Sequence, residues 1–353
     1  MVELSLIKPI FAAKKPTYID NNPDNWLNNL RLTFDEFLLY KELPVEKRYT
    51  NSKVSEASSV QDASKSMQAK SSKSNAQSHT IYIFKNDALY NYFKPPSYVL
   101  HRDLHINYWM QESVPTYLKQ RNRMFVGFNK YYQSPPQTTY GGTSEWLYVI
   151  SGTLKVDIYK PTKLNLLRVS EWESQQDPVP TPVVEEFKLR KNHCLVIPGG
   201  WITRRRALAD TFVLTGEFIN VDDIKNQLEM FQRDVENTAN TYSITRDSNI
   251  RSLYWIFLTS LLQSEGKDGM INSVDVDACE SLKRNIVEWQ KLSTNGKHPE
   301  LYVPYGIKAD LLVRDLKNYA NRNSKPKLSS KPTKRKPRKI TTKISLPRRL
   351  NSS

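Results

Sequence analysis

Cysteine is scarce in this chain of 353 residues, which contains only Cys194 and Cys279. Two thiols cannot build a disulfide framework or a cysteine-rich zinc module. Long apolar runs are missing too, since none approaches the roughly 18 residues that a membrane-spanning helix needs. Residues 1–7 are too short and too acidic for a signal peptide. The sequence therefore predicts a protein of a reducing compartment that has no association with membranes.

Acidic side chains are absent from residues 324–353, which contain 11 lysines or arginines. This segment supplies most of the net charge of +16 and leaves +5 for the rest of the chain. Prolines interrupt its basic cluster and prevent helix formation. Such clusters act as nuclear localisation signals or as arms that bind phosphates without reading sequence. The cations of the cluster are Lys331, Lys334, Arg335, Lys336, Arg338 and Lys339. We predict a nuclear protein with a basic tail that binds DNA phosphates.

Composition divides the chain into five parts. Residues 1–50 mix aromatic and charged side chains, and residues 51–79 consist largely of Ser, Lys, Gln and Ala. The second stretch has too little to bury to offset the entropy of ordering, so it is predicted to be a flexible linker. Residues 80–220 favour strands, residues 221–322 favour helices, and residues 323–353 form the disordered basic tail.

Short β-type runs separated by Gly and Pro indicate a barrel or a sandwich in the central part. These runs are 124–128, 145–150, 154–159, 194–197 and 211–214. Helical spacing begins after residue 220, with Ile224, Leu228 and Phe231 on one face. Further helices are predicted at 275–292 and 307–320. The fold class is therefore a β core followed by a helical lobe.

Residues 140–149 read Tyr-Gly-Gly-Thr-Ser-Glu-Trp-Leu-Tyr-Val, and further motifs lie before and after them in the chain. Those motifs are 89–96, Trp109, 171–172, 197–202, 216–219, 223–228, 303–307 and 315–317. Together they resemble the JmjC domain of histone lysine demethylases, in particular those acting on lysine 36 of histone H3 and their PHD-finger relatives. The resemblance covers roughly residues 85–320.

The resemblance implies a double-stranded β-helix, a jelly-roll or cupin-like barrel, that holds Fe(II) through two histidines and one carboxylate. Open positions on that metal take 2-oxoglutarate and oxygen. At the family's three ligand positions this chain has Gln137, Thr139 and Thr203. Their side chains are neutral and are poor ligands for Fe(II). We therefore expect no catalytic residue, no bound metal and a degenerate iron site.

The positions that bind 2-oxoglutarate in the family are only partly retained. Its hydroxyl three residues before the first ligand corresponds to Ser134, while its lysine falls on Leu154. Lys155 is one residue away, and a slip of one residue turns a strand side chain to the opposite face. A bulge would bring that lysine back. No cofactor is expected unless the active alternative below holds.

Three consecutive arginines, Arg204, Arg205 and Arg206, follow the third ligand position. Alternation along a strand would send at least one of them inward, where it could hold a dicarboxylate or a phosphate. A solvated basic edge, or contacts with acidic side chains elsewhere, is the other interpretation.

Three functions compete. The first is a chromatin-associated pseudo-demethylase that binds the histone H3 tail or the nucleosome, and other chromatin proteins, without oxygenase activity. The second is an active demethylase of the lysine-36 type, dependent on Fe(II) and 2-oxoglutarate, whose ligands come from displaced residues. The third is a basic nucleic-acid-binding scaffold.

Overall fold

The computed structural model describes residues 15–19, 44–49, 55–59, 62, 80–84, 95–108, 124–174, 182–237, 241–263, 276–295, 302–304 and 307–323. Over these ranges the chain forms eleven strands and seven α-helices. Most of the predicted N-terminal segment 1–50 and the whole tail after residue 323 lie outside them, as does the motif at 89–94.

The strands form two antiparallel sheets. They are β1 Thr17–Ile19, β2 Pro44–Tyr49, β3 Ser55–Ser59, β4 Thr80–Phe84, β5 Met124–Phe128, β6 Ser144–Ser151, β7 Thr153–Tyr159, β8 Glu185–Arg190, β9 Cys194–Ile197, β10 Ile202–Ala207 and β11 Thr211–Phe218. The large sheet has the order β1-β9-β6-β11-β5-β4-β2-β3, and the small sheet has the order β10-β7-β8. A further segment, residues 133–137, lies along the free edge of β10 through the bridges Gln133↔Arg206 and Gln137↔Thr203.

The chain passes back and forth between these sheets. From β5 it crosses to the segment 133–137, returns in β6, crosses again for β7 and β8, and repeats the passage with β9, β10 and β11. Two interlocked sheets wound in this way form a double-stranded β-helix. The predicted fold class, a jelly-roll barrel with a helical lobe, is confirmed.

Alternating side chains from both sheets fill the barrel. The interior cluster includes Val126, Leu147, Val149, Leu154, Val156, Ile158, Leu189, Leu195, Ile197 and Val213. Most of these residues are β-branched or leucine, which pack well on a pleated surface. Because successive strand residues point to opposite faces, each buried position fixes which of its neighbours point inward.

The helices are α1 Ser97–Arg102, α2 Leu104–Tyr108, α3 Lys163–Ser174, α4 Ile224–Asn237, α5 Thr241–Gln263, α6 Val276–Asn295 and α7 Ala309–Asn323. The last four share a second core with α2, centred on Leu228, Trp255 and Leu282. The Asn220 side chain accepts a hydrogen bond from the Asp222 N–H just before α4. No helix in the described ranges is long and apolar enough to cross a membrane.

The structure departs from the sequence prediction in the linker 51–79. Ser55–Ser59 forms strand β3, which pairs with β2 over five residue pairs. Its serines have almost no apolar surface to bury, so backbone hydrogen bonds to a neighbouring strand supply what composition could not indicate. Asp62 is the only other described residue of that linker.

Glycines dock the helical lobe on the barrel. Gly141 and Gly142 have positive φ angles of 66° and 64° and form a 3-10 turn before β6. A Cβ on Gly142 would lie 2.8 Å from the Cα of Gln227 in α4. A Cβ on Gly199 would lie 1.8 Å from the Gly142 carbonyl oxygen. The Gly-Gly motif and the Pro-Gly-Gly turn therefore interlock directly under α4.

Acidic side chains from the lobe hold the same turn. The Gly141 N–H donates to Asp234 Oδ2 in α4 at 2.7 Å. The Tyr140 hydroxyl donates to Asp247 Oδ1 in α5 at 2.6 Å. The motif that begins β6 is therefore fixed from both helices, and it positions the residues that precede it.

Candidate functional site

The first and third ligand positions of the family lie opposite each other. Gln137 and Thr203 exchange two backbone hydrogen bonds, each 2.9 Å long. Residues 133–137 and β10 thus bring together two positions that are 66 residues apart in sequence. Thr203 is buried. The structure therefore brings these two residues together, with neutral side chains at both.

The second ligand position, Thr139, is directed into the turn that follows it. Its hydroxyl donates a hydrogen bond to the Thr143 carbonyl oxygen. A hydroxyl used in this way closes the local turn and carries no negative charge. Thr139 therefore supplies local structure at the position where the family has its carboxylate.

An ion pair lies inside the barrel beside these positions. Along β10, Thr203 and Arg205 point to the same face as Ala207, which belongs to the interior cluster. The Arg205 guanidinium binds Glu145 Oε2, and the two side chains are only 12% and 7% exposed. The Thr215 hydroxyl donates to Glu145 Oε1 at 3.1 Å. Both carboxylate oxygens of Glu145 therefore have partners within the chain.

Burial makes this pair electrostatically costly. Desolvation raises the pKa of the Glu145 carboxyl, and the Arg205 guanidinium opposes that rise. Glu217, whose carboxylate accepts from the Thr143 hydroxyl at 2.9 Å, adds a smaller upward shift to the same pKa. A buried charge pair of this kind is held by its geometry and by its additional hydrogen bonds.

The residues present do not fit Fe(II). That metal is held in this fold by imidazole and carboxylate ligands, and the three positions offer an amide and two hydroxyls. Arg205 adds a fixed positive charge on the interior face of β10, two residues from Thr203. Its guanidinium binds Glu145, so the nearest interior carboxylate is already engaged and does not replace a missing ligand. Among the described residues, no group of three His, Cys, Asp or Glu side chains could hold a metal ion.

The positions equivalent to the family's 2-oxoglutarate contacts are divided between two faces. Leu154 is fully buried in the apolar interior. Lys155 points to the outer face, where it pairs with Asp157 at 3.6 Å and with Glu186. The β7–β10 register runs without a shift across Lys155, so no bulge turns this lysine inward.

Ser134 remains buried inside the barrel wall. Its hydroxyl accepts a hydrogen bond from the Arg205 N–H at 2.9 Å, and its own N–H donates to the Arg205 carbonyl oxygen. The one retained hydroxyl therefore serves the pairing between the segment 133–137 and β10. Its part in binding a cosubstrate stays a prediction.

The other two arginines point to the outer face and also have partners within the chain. Arg206 binds Asp157 Oδ2 at 3.1 Å. Arg204 hydrogen-bonds Tyr159 and, together with Arg206, lowers the pKa of its hydroxyl, although burial raises that pKa overall. An external anion would have to compete with these contacts, and anion binding by the three arginines stays a prediction.

Sequence reasoning missed Glu145. The signal was its position in β6, where it shares a face with Leu147 and Val149, two residues of the barrel interior. A carboxylate in an inward series of apolar residues needs a buried partner. Alternation along 203–206 already indicated that an arginine would point inward, so the two observations together could have suggested the pair.

Comparisons with known proteins agree with the barrel. The chain is 23% identical over 244 residues to histone lysine demethylase PHF8 of Danio rerio, a match that covers 66% of this chain and 23% of that protein. It is 24% identical over 224 residues to lysine-specific demethylase 7A of Xenopus tropicalis, covering 62% of this chain and 21% of the relative. The chain thus spans less than a quarter of the length of either relative.

Among solved structures, the ribosomal oxygenase YcfD of Escherichia coli shares 11% identity and a TM-score of 0.36, and the match covers 86% of this chain and 69% of that one. No family model matches the sequence.

The strand order and the enclosed apolar interior define a protein of the double-stranded β-helix class. The similarity to demethylases, one of them a JmjC domain-containing histone demethylation protein of Kluyveromyces lactis, supports a relationship to the JmjC family.

Proposed function

We propose that this chain is a chromatin-associated JmjC protein that uses its barrel as a binding scaffold and has lost the oxygenase reaction. One observation carries the proposal: neutral residues occupy all three ligand positions, and the buried Arg205–Glu145 pair lies beside them. Loss of one ligand could be offset by a neighbouring donor. Here the nearest interior carboxylate, Glu145, is held by Arg205 and Thr215 and does not replace a lost ligand.

The proposal of histone and chromatin partners is supported by a relative that is named a histone lysine demethylase. We propose the histone H3 tail or the nucleosome as the partner of the folded part, and DNA phosphates as the partner of residues 331–339. A nuclear location is consistent with both. The scaffold role requires that the barrel keep its shape, and the interlocked glycine turns with their carboxylate contacts maintain it.

Metal retention tests the loss of chemistry. Purified protein would be incubated anaerobically with Fe(II), desalted and analysed for iron. We expect no stoichiometric iron in the wild-type chain or in the variant Gln137→His/Thr139→Asp/Thr203→His. Adding Glu145→Leu and Arg205→Leu to that variant should raise the iron content toward one equivalent, because the ion pair then no longer occupies the barrel interior beside the new ligands. Stoichiometric iron in the wild-type chain would overturn the proposal.

The nucleic-acid scaffold is the second candidate, and the charge of the tail favours it. Deleting residues 324–353 separates the two functions. If the truncated chain still binds nucleosomes or H3 peptides, the folded part carries recognition as proposed. Complete loss of nucleosome binding would assign recognition to the tail alone.

A further inference from the structure

The outer face of the small sheet carries cations in cross-strand register. Arg206 lies opposite Lys155 in the β10–β7 pair, and Lys155 lies opposite Lys188 in the β7–β8 pair. Arg190 follows Lys188 two residues further along β8, on the same face. These four side chains are called the basic sheet face. With strands about 4.8 Å apart, its cross-strand row spans roughly 10 Å.

Only part of this charge is neutralised within the chain. Asp157 and Glu186 occupy the next cross-strand row and pair with Arg206 and Lys155. Lys188 and Arg190 are exposed, as is Lys191 in the turn after β8. In the described part of the chain, no ion pair joins these three residues to an acidic side chain. They are therefore available to an anion in solution.

Like charges directly opposite on neighbouring strands destabilise a sheet. Lys155 lies directly opposite Lys188, and its pairing with Asp157 and Glu186 offsets that repulsion while leaving Lys188 without an acidic partner in the described part of the chain. The other end of the same face is covered, because Tyr159 and Ile202 pack against Val169 of α3. The cations are thus concentrated on the uncovered end of an otherwise closed sheet.

The chemistry of this face fits a phosphate backbone. Lysine and arginine on a regular element bind phosphates without reading bases. Within the described strands β7, β8 and β10, the aromatic ring on this face is Tyr159, which is only 2% exposed. Binding of single strands depends on accessible rings for stacking, so a duplex is the better partner.

We propose that the basic sheet face, extended by Lys191, binds the backbone of double-stranded DNA. The choice of DNA rests on the chromatin function proposed above. The face would act together with the tail after residue 323. The sheet would provide a rigid contact, and the lysines and arginines of the tail would bind further phosphates. It lies on the opposite side of the strands from the Arg205–Glu145 pair, so DNA can bind without opening the barrel.

The test uses charge reversal in the full chain. The sheet variant is Lys188→Glu/Arg190→Glu/Lys191→Glu. The matched control is Arg284→Glu/Lys291→Glu/Lys308→Glu, which changes the net charge equally at exposed positions of the helical lobe. Affinity for a labelled 20-base-pair DNA duplex would be measured by fluorescence anisotropy between 50 and 200 mM KCl.

Each phosphate contact contributes about 0.9 to the slope of log affinity against log salt. The sheet variant should therefore lower that slope by about 2.7 and weaken binding at 100 mM KCl by more than about tenfold. The control should lower the slope by less than about 1. Equal losses in the two variants, or no loss in the sheet variant, would overturn the proposal. So would tighter binding of an RNA duplex of the same length.

The thermal unfolding midpoint of the sheet variant shows whether weaker DNA binding results from a loss of folding. Lys188→Glu places a carboxylate opposite Lys155, so the thermal midpoint of the sheet variant should not fall. If it does fall, the variant Lys188→Gln/Arg190→Gln/Lys191→Gln gives the same comparison without added acid, and an unchanged salt slope there refutes the proposal. The outcome is independent of iron retention, so failure here leaves the loss of oxygenase chemistry standing.

Discussion

Arg205 and Glu145 place an ion pair inside the apolar barrel. Each alone would be an uncompensated charge among leucines and valines. Together they satisfy one another, with Thr215 completing the contacts of the carboxylate. The pair occupies the barrel interior beside Gln137 and Thr203.

Removing one partner of this pair should strongly lower the free energy of unfolding. Glu145→Gln leaves the Arg205 guanidinium buried without a counter-charge, and we expect a loss of about 3–5 kcal/mol in unfolding free energy. Combining Glu145→Leu with Arg205→Leu should restore most of that stability, because both charges are removed. Urea denaturation measures both effects.

Glu186→Gln is the control for that experiment. Glu186 pairs with Lys155 on the outer face and is 53% exposed, so its loss should cost less than about 1 kcal/mol. A Glu145 variant no less stable than this control would contradict the role assigned to the buried pair.

Asp103 is a second residue with a clear electrostatic consequence. It is fully buried between α1 and α2, where its Oδ1 accepts from the N–H groups of His105 and Ile219 at 3.0 and 3.3 Å. Its Oδ2 has no hydrogen-bond partner in the described structure. Burial raises the pKa of this carboxyl to about 7, and the two backbone hydrogen bonds only partly oppose it.

The raised pKa of Asp103 makes the folded state less stable as the pH rises. The folded state holds the Asp103 proton more tightly than the unfolded state, whose pKa is about 3.9. The stabilisation is therefore complete below about pH 4 and is lost as the pH rises through about 7. We expect Asp103→Asn to lose less stability than the wild type between pH 5 and pH 8. Identical losses in urea denaturation at the two pH values would show that Asp103 is ionised throughout.

Among the elements, α4 and the glycine turns form the joint between barrel and lobe. The turn at 140–142 contacts α4 so closely that no side chain fits at Gly142. The motif that marks the family in sequence therefore has a structural role here that does not depend on catalysis.

Gly142→Ala tests this joint. The new Cβ would lie 2.7 Å from the Cβ of Met230, and alanine would have to adopt a φ angle of 64°. We expect a loss of about 2–5 kcal/mol, the combined cost of overpacking and backbone strain. Glu229→Ala, on the exposed side of α4, should change stability by less than about 0.5 kcal/mol. Comparable thermal midpoints for the two variants would contradict the proposed joint.

Elements with strong periodicity could be predicted from the sequence. The strands at 124–128, 154–159 and 194–197 and the helices of the C-terminal lobe lie where apolar spacing placed them. Strand β8 was missed, because its exposed positions are charged and only Phe187 and Leu189 point inward. Strand β3 was missed since backbone pairing alone orders its serines. The candidate ligand positions came from the family resemblance and stay a prediction, whereas the Arg205–Glu145 contact needed the register of β6 and β10.

At the level of the whole molecule, the barrel separates two kinds of surface. Its interior contains the buried Arg205–Glu145 ion pair, and the outer face of its small sheet carries the exposed cations Lys188 and Arg190. This arrangement is the one that the proposed scaffold role requires, with fixed cations on the sheet and further positive charge in the sequence of residues 324–353.

The most direct measurement of the central claim is turnover by the full chain. The protein would be incubated with Fe(II), ascorbate, 2-oxoglutarate and a histone H3 peptide methylated at lysine 36, and formaldehyde and succinate would be quantified. We predict no production of either above a control without protein. Formaldehyde release that is abolished by Gln137→Ala or Thr203→Ala would contradict the account and show that these positions still support catalysis.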